Sequence, residues 1–316
     1  MNVKSTLGFL FLLVLMPFTQ QAGAGNIKVV TTVAPITDMV YNVGGDRIEL
    51  HGIIPEGINS HTFEPVPSDA RHLAGADIII VNGLALEIPT QKLAVRVKQD
   101  DAKILKLGDN TISREEWRFD FSFPEREGRP NPHLWPNVTY SMRYVELIRD
   151  ALIGLDPVNA AYYIKNAGLY LSKLKALDKA IFRCVEGIPE KNRKLLTYHD
   201  SFAYFAPRYG MMVIGAIQPS DFSEPSPREM ARLIDQIRAK QVPAIFGSQV
   251  FPSKVLDQIG RETGAKVVDK LRDDNLPSKV GDPNHSFIGM MAENMRNIAG
   301  ALGGDPSCAD NVGYTK

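Results

Sequence analysis

The chain has 316 residues, enough for one large or two medium-sized globular domains. Hydrophobic residues make up 44% of it and are spread along its whole length, which excludes a disordered or low-complexity protein. The 36 basic and 36 acidic side chains balance, so the chain has neither a basic field for nucleic acid nor an acidic tail.

The first 24 residues resemble a secretory signal peptide. Lys4 provides the positive region, 7–18 is almost wholly apolar, and Ala22-Gly23-Ala24 forms a cleavage site of small residues. A membrane anchor is the alternative, but a spanning helix needs about 20 apolar residues. No cysteine follows the apolar run. The sequence therefore predicts a mature protein that begins near Gly25, lacks a lipid anchor and is located in the periplasm.

Short β-rich runs alternate with helical patterns in the rest of the chain, which predicts an α/β fold. Two helices are predicted over 227–240 and 252–263, the second ending at Gly264, a residue suited to the end of a helix. Strands are predicted over 27–32, 48–54, 77–82, 194–198, 212–217, 243–246 and 265–271.

One long helix is predicted over 158–185. Apolar residues recur there at alternating intervals of four and three, as on one face of a helix: Tyr163, Ala167, Tyr170, Leu174, Leu177, Ile181 and Cys184. The helix could be an ordinary core helix or a rigid connector between two lobes. We expect the connector, with a signal peptide over 1–24, an N-terminal lobe over 25–155, a connecting helix over 156–187 and a C-terminal lobe over 188–316.

The stretch 113–131 mixes charged and aromatic side chains before a glycine and prolines. It is predicted to be a long surface loop, either functional or a tolerated insertion.

The chain has two cysteines, Cys184 and Cys308. In an oxidising compartment the simplest prediction is one disulfide between them, and two buried free thiols are the alternative.

Three histidines occupy positions where a cleft would open in an α/β protein. His61 follows the predicted strand 48–54, His133 directly precedes a helical pattern, and His199 follows the strand residues of 194–198. Ligands of α/β proteins bind at the carboxyl ends of strands. Acidic residues in and after the last predicted strand could add a carboxylate, and spacing alone does not choose among Asp269, Asp273, Asp274 and Asp282.

These stretches resemble the metal-binding solute-binding proteins of bacterial ABC transporters for zinc and manganese, a family called cluster A-I. The resemblance covers the whole mature chain. It is carried by 57–65 with His61, by 131–136 with His133, by 197–210 with His199, by Glu224-Pro225-Ser226 and by Met290-Met291. The family's fold, two Rossmann-like lobes joined by one long backbone helix, is then the expectation for this chain.

The resemblance implies the metal ligands His61, His133, His199 and Asp274. Asp274 is chosen because 271–276 matches the family's Leu-x-x-Asp-x-Leu pattern, whereas Asp269 and Asp273 do not fit that register. Three imidazoles and one carboxylate suit Zn²⁺ better than Mn²⁺ or iron. Two departures from the family are the absence of histidine from 113–131 and Asn131 in place of an aspartate.

The expected function is capture of Zn²⁺ and delivery to the membrane permease of an ABC transporter, by a monomer that binds no nucleic acid and is not an enzyme. A metal donor in the periplasm could contact the 113–131 loop. The alternatives are a manganese- or iron-binding homologue and, in a different class, a zinc-dependent hydrolase. Four protein ligands would fill a tetrahedral zinc shell and leave no position for the water that a hydrolase needs.

Overall fold

The computed structural model describes residues 26–250, 254–310 and 312–313, so the predicted signal peptide lies outside the described residues. Within these ranges the chain forms eight strands and nine α-helices. The strands are Ile27–Thr31 (β1), Ile48–Gly52 (β2), Ile78–Val81 (β3), Lys103–Lys106 (β4), Lys194–Thr197 (β5), Met212–Ala216 (β6), Ala244–Ser248 (β7) and Lys266–Leu271 (β8). The helices are Ala34–Gly44 (α1), Pro67–Ala74 (α2), Ile88–Val97 (α3), Val138–Leu155 (α4), Ala160–Glu186 (α5), Phe205–Tyr209 (α6), Pro227–Lys240 (α7), Lys254–Thr263 (α8) and Phe287–Leu302 (α9).

Two four-stranded parallel sheets confirm the predicted α/β architecture. The first has the order β2-β1-β3-β4 and the second the order β6-β5-β7-β8. The two sheets have the same topology. In each, the second strand in the chain pairs with one side of the first strand, and the third and fourth strands lie on its other side. In such sheets the crevice beyond the carboxyl ends of the strands, at the point where the order reverses, is the usual binding position.

Helix α5 lies between the two sheets in the chain and buries the apolar face that its sequence predicts. It packs against α1, α4 and α9, and residues of both sheets share one large hydrophobic core with it. Near its end Cys184 is bonded to Cys308, which follows α9. The exact lobe boundaries at residues 155 and 188 stay a prediction.

Among the described helices none is both long enough and apolar enough to cross a bilayer.

The middle of the 113–131 stretch is not at the surface, so the prediction of a surface loop is wrong there. Ser122 and Phe123 are buried, and Asn131 is fully buried at its end. The backbone N–H of Arg118 donates to the Tyr204 hydroxyl, and the Ser122 hydroxyl donates to the carbonyl of Gln218. The charged side chains of 125–129 remain exposed. This segment, which we call the cover loop, therefore packs across the two halves of the chain.

Candidate metal centre

The three histidines singled out in the sequence come together from three different elements. His61 lies on the loop after β2, His133 on the turn before α4, and His199 just beyond the end of β5. Their Nε2 atoms are 3.2 Å apart in each of the three pairs. The part of the chain that the structure describes contains this one group of at least three metal-ligating side chains within ligand distance of one another.

The triangle of nitrogens has the dimensions of a metal site. A tetrahedral zinc ion with bonds of about 2.0–2.1 Å to nitrogen holds its ligand atoms about 3.3–3.4 Å apart. His133 and His199 are buried, and His61 is half-buried. Three imidazole nitrogens at this spacing can bind one cation together.

Two amide side chains fix the orientation of two of the rings. The Oδ1 of Asn131 lies 2.8 Å from Nδ1 of His133, and the Oε1 of Gln218 lies 2.8 Å from Nδ1 of His199. An amide oxygen only accepts hydrogen bonds, so each Nδ1 carries the proton and each Nε2 presents its lone pair. Asn131 itself is held by donating to the carbonyl of Asp200 at 2.7 Å. Asn131 therefore braces His133.

Two phenylalanine rings cover the imidazoles. Phe222 stacks on His61 with ring centroids 4.6 Å apart, and Phe123 lies 5.5 to 6.3 Å from the three histidine rings. Phe222 has a φ of 60°, which is rare for a bulky residue, and its carbonyl accepts a hydrogen bond from Nε2 of Gln218. A cavity of only about 50 Å³ remains beside His61. The cover keeps bulk water away from the nitrogens.

Asp274 is buried near the start of the segment that follows β8, but it is not part of the compact group of ligand atoms. Its Oδ2 accepts a hydrogen bond from the hydroxyl of Ser60, next to His61. Its Oδ1 is buried without a hydrogen-bond partner. A buried carboxylate oxygen with no partner is costly, and it is the kind of atom that a cation satisfies.

Burial controls protonation at the site. It lowers the pKa of His61 and His133 well below 6.5, with a further contribution from neighbouring His199. These rings are therefore neutral and able to bind metal at neutral pH. Burial, followed by the charge of Asp273, raises the pKa of Asp274 to about 8. At pH 7 this carboxyl has to lose a proton when it becomes a ligand.

Gln218 and the two phenylalanines were not singled out in the sequence. Gln218 follows β6, and the rule that applied to His199, a polar side chain just beyond the carboxyl end of a strand, also applies to it. No comparable signal exists for Phe123 or Phe222, because an aromatic residue in a loop is more often simply packed.

Comparison with known proteins identifies the family and the fold. The family model described as "ZnuA: Zinc-uptake complex component A periplasmic" matches residues 29–301. The structure is similar to the periplasmic zinc-binding protein TroA from Treponema pallidum, with a TM-score of 0.79, 26% sequence identity, and coverage of 88% of this chain and 99% of that one.

Two curated relatives cover nearly the whole chain. The metal ABC transporter substrate-binding lipoprotein FimA of Streptococcus parasanguinis is 28% identical over 284 residues, which are 90% of this chain and 92% of FimA. The manganese-binding lipoprotein MntA of Halalkalibacterium halodurans is 29% identical over 284 residues, which are 90% of this chain and 91% of MntA.

The names of these relatives correct one prediction. A periplasmic protein without a lipid anchor was expected, but FimA and MntA are both named lipoproteins. That prediction was based on an absence, the missing cysteine after the apolar run of 7–18. A missing cysteine at that position does not show whether the protein is anchored to a membrane, and the names of the relatives contradict the prediction.

The role of the chain follows from these likenesses. A solute-binding protein works with the permease of its transporter, and its task is to bind and release rather than to convert, so the hydrolase alternative is wrong. The metals in the names differ, manganese for MntA and zinc for TroA, and what the three names share is metal. The chain belongs to the ZnuA family of metal-binding solute-binding proteins of ABC transporters.

Proposed function

We propose that this chain captures one Zn²⁺ ion with His61, His133, His199 and Asp274 and delivers it to the membrane permease for import. The observation that carries the proposal is the triangle of three Nε2 atoms, each 3.2 Å from the other two. Zinc accepts such a set of imidazoles with one carboxylate as its fourth ligand.

Asp274 completes the set by moving or rotating its carboxylate when the ion arrives. The unpartnered Oδ1 and the contact of Oδ2 with Ser60, which adjoins His61, support this assignment. Neighbouring Asp273 has a different role, because its carbonyl accepts a hydrogen bond from the indole of Trp135 and its Oδ1 accepts one from the backbone N–H of Asp274. Asp273 therefore shapes the turn that presents Asp274.

Mn²⁺ is the second candidate cargo, because MntA is named a manganese-binding protein. The ligand chemistry favours zinc. Mn²⁺ and iron prefer more oxygen ligands, and this centre offers one carboxylate against three imidazoles.

A competition experiment tests the preference. The metal-free protein is titrated with Zn²⁺ and, separately, with Mn²⁺ in a calorimeter, and the metal content of protein isolated from its own cell envelope is measured by elemental analysis. We expect one Zn²⁺ per chain and at least a hundredfold weaker binding of Mn²⁺. Tighter binding of Mn²⁺, or a native protein loaded with manganese, would contradict the zinc assignment.

The exposed acidic residues of the cover loop are proposed to contact a metal donor. Deleting the loop would also remove Phe123 from the centre, so charge reversal at Glu125 is the sharper test, with charge reversal at exposed Glu190 as the control. We expect slower zinc transfer from a donor to the Glu125→Lys variant and unchanged affinity for free Zn²⁺. Equal transfer to both variants would remove the donor from the proposal.

A further inference from the structure

The segment 272–286, which connects β8 to α9 and carries Asp274, is held against the His61 loop by a second set of contacts. Glu56 lies in the loop between β2 and His61. Its Oε2 accepts a hydrogen bond from the backbone N–H of Leu276 at 3.0 Å, and its Oε1 lies 3.3 Å from Nε2 of His285. One carboxylate thus joins the loop that carries His61 to both ends of the segment that carries Asp274.

The groups that face the two ring nitrogens of His285 indicate which protonation state suits them. Its Nδ1 lies 3.0 Å from the carbonyl oxygen of Pro277, which only accepts, so Nδ1 carries a proton. Its Nε2 faces a carboxylate oxygen that also only accepts. Both contacts are favourable together when the ring is an imidazolium, because a neutral ring would place a lone pair against the Glu56 oxygen.

The Glu56 and His285 side chains are partly buried, but solvent still reaches them. His285 is 8% exposed, and the Glu56 side chain is 34% exposed. Both line an open cavity of about 540 Å³. Other titratable or charged groups lie around it on packed elements and on its own segment: Asp38 and Tyr41 of α1, Tyr170 of α5, which donates to Asp38, and Lys279 and Asp282. Of these, Asp38 accepts from the backbone N–H of Phe287, which fixes the start of α9.

We propose that Glu56 and His285 are positioning residues for metal retention: the Glu56 carboxylate, paired with a doubly protonated His285, holds the Asp274 segment against the His61 loop and slows release of the ion. The proposal rests on the metal-binding role proposed above for His61 and Asp274. The pair requires the imidazolium form of His285, so it weakens once the ring loses its second proton. Neither side chain belongs to the proposed ligand set, so the two act only through the positions of the loops.

Two substitutions at residue 56 separate positioning from simple structural support. Glu56→Ala removes both contacts. Glu56→Gln keeps an oxygen that can accept from Leu276 and adds an N–H that can donate to a neutral His285 ring, so it restores both contacts only where the imidazole has lost its second proton. Glu64→Gln, at an exposed carboxylate a few residues further along the chain, is the matched control.

The first readout is the rate at which protein loaded with Zn²⁺ alone gives up its ion to a chromogenic chelator, between pH 6 and pH 8.5. We expect Glu56→Ala to release zinc about tenfold faster than the unsubstituted protein at pH 6, the size of one charge-assisted hydrogen bond. The ratio should fall as the pH rises to 8.5 but stay above one, because the acceptor of the Leu276 N–H is lost at every pH. Glu56→Gln should be fast at pH 6 and normal at pH 8.5, and Glu64→Gln normal throughout. A ratio for Glu56→Ala that is the same at every pH would overturn the proposal.

The second readout is nitrogen NMR of the His285 ring in metal-free protein, which reports on the pair even if the protein binds no zinc. Both ring nitrogens should carry protons at pH 6, and the second proton should be lost at lower pH in Glu56→Ala than in the unsubstituted protein. A neutral His285 ring at pH 6 would overturn the pair. Failure of zinc binding with a normal NMR result would instead overturn the proposed function.

Discussion

The centre is built so that each imidazole is prepared before the ion arrives. Asn131 and Gln218 hold the Nδ1 protons of His133 and His199, which leaves the Nε2 lone pairs directed at one point. Burial keeps His61 and His133 neutral by lowering their pKa. Little rotation of His133 and His199 and no deprotonation of His61 and His133 is then required on binding, whereas Asp274 has to give up a proton at neutral pH.

Removing the brace of a ring should therefore weaken binding without removing a ligand. We expect Gln218→Ala to reduce zinc affinity about 10- to 100-fold, as is usual for a group that orients a metal-binding histidine. We expect His199→Ala to reduce it further, since a ligand itself is lost. Competition with a chelator measures both. His72→Ala, on the exposed face of α2, is the control, and an affinity of Gln218→Ala equal to that control would exclude the brace.

At the scale of elements, the cover loop and the end of β5 meet through a pair of acidic side chains. Asp120 of the loop and Asp200, next to His199, lie side by side, and the N–H of Ser122 donates to Asp200 at 3.3 Å. Burial, followed by the negative charge of Asp200, raises the pKa of Asp120 to about 9. The loop is thus attached to the strand end through the N–H of Ser122, beside an Asp120 carboxyl that stays protonated at neutral pH.

This pair should make the stability of the metal-free protein depend on pH. Between about pH 4 and pH 9 the folded chain holds a proton on Asp120 that the unfolded chain releases, so the free energy of unfolding falls as pH rises through this window. Asp120→Asn cannot titrate, and we expect its stability to fall less steeply. Denaturant unfolding in the presence of a chelator at pH 5, 7 and 9 measures the difference. Parallel curves for the two proteins would contradict the raised pKa.

Elements with a strong local pattern could be predicted from the sequence. The buried face of α5 was predictable because its apolar spacing is that of a helix, and β3 because four consecutive apolar residues are buried there. Strand β4 was missed because Lys103 and Lys106 enclose only two apolar residues, and it forms through pairing with β3. The approach of Phe222 and Gln218 to the histidines is set by the order of strands in the second sheet, which no local pattern encodes.

At the scale of the whole molecule, the two halves of the chain share one core and one helix. Residues of both sheets, of α5 and of α9 belong to the same hydrophobic cluster. The bond between Cys184 of α5 and Cys308 ties the chain after α9 to that helix across 124 residues of sequence. The C-terminal part of the protein is therefore fixed to the longest helix by covalent as well as apolar contacts.

Reduction of this bond should affect stability and leave the cargo site intact. We expect the free energy of unfolding to fall by about 2–5 kcal/mol, as for disulfides that close long loops. The stoichiometry of zinc should stay the same, because neither cysteine is one of the proposed ligands. Thermal unfolding with and without a reductant, and Cys308→Ala without one, provide the measurement. Two free thiols found by mass spectrometry in native protein would contradict the bond itself.

A continuous core beneath both sheets limits how the protein can signal that it is loaded. Swinging one half away from the other would expose the apolar surface around a helix of 27 residues, which is costly in water. The inexpensive motions are those of the surface segments that touch the ion's neighbours: the cover loop, the turn with Phe222 and the stretch before α9. We expect the permease to distinguish the metal-bound protein from the metal-free protein by the shape of these surface segments rather than by the distance between two rigid halves.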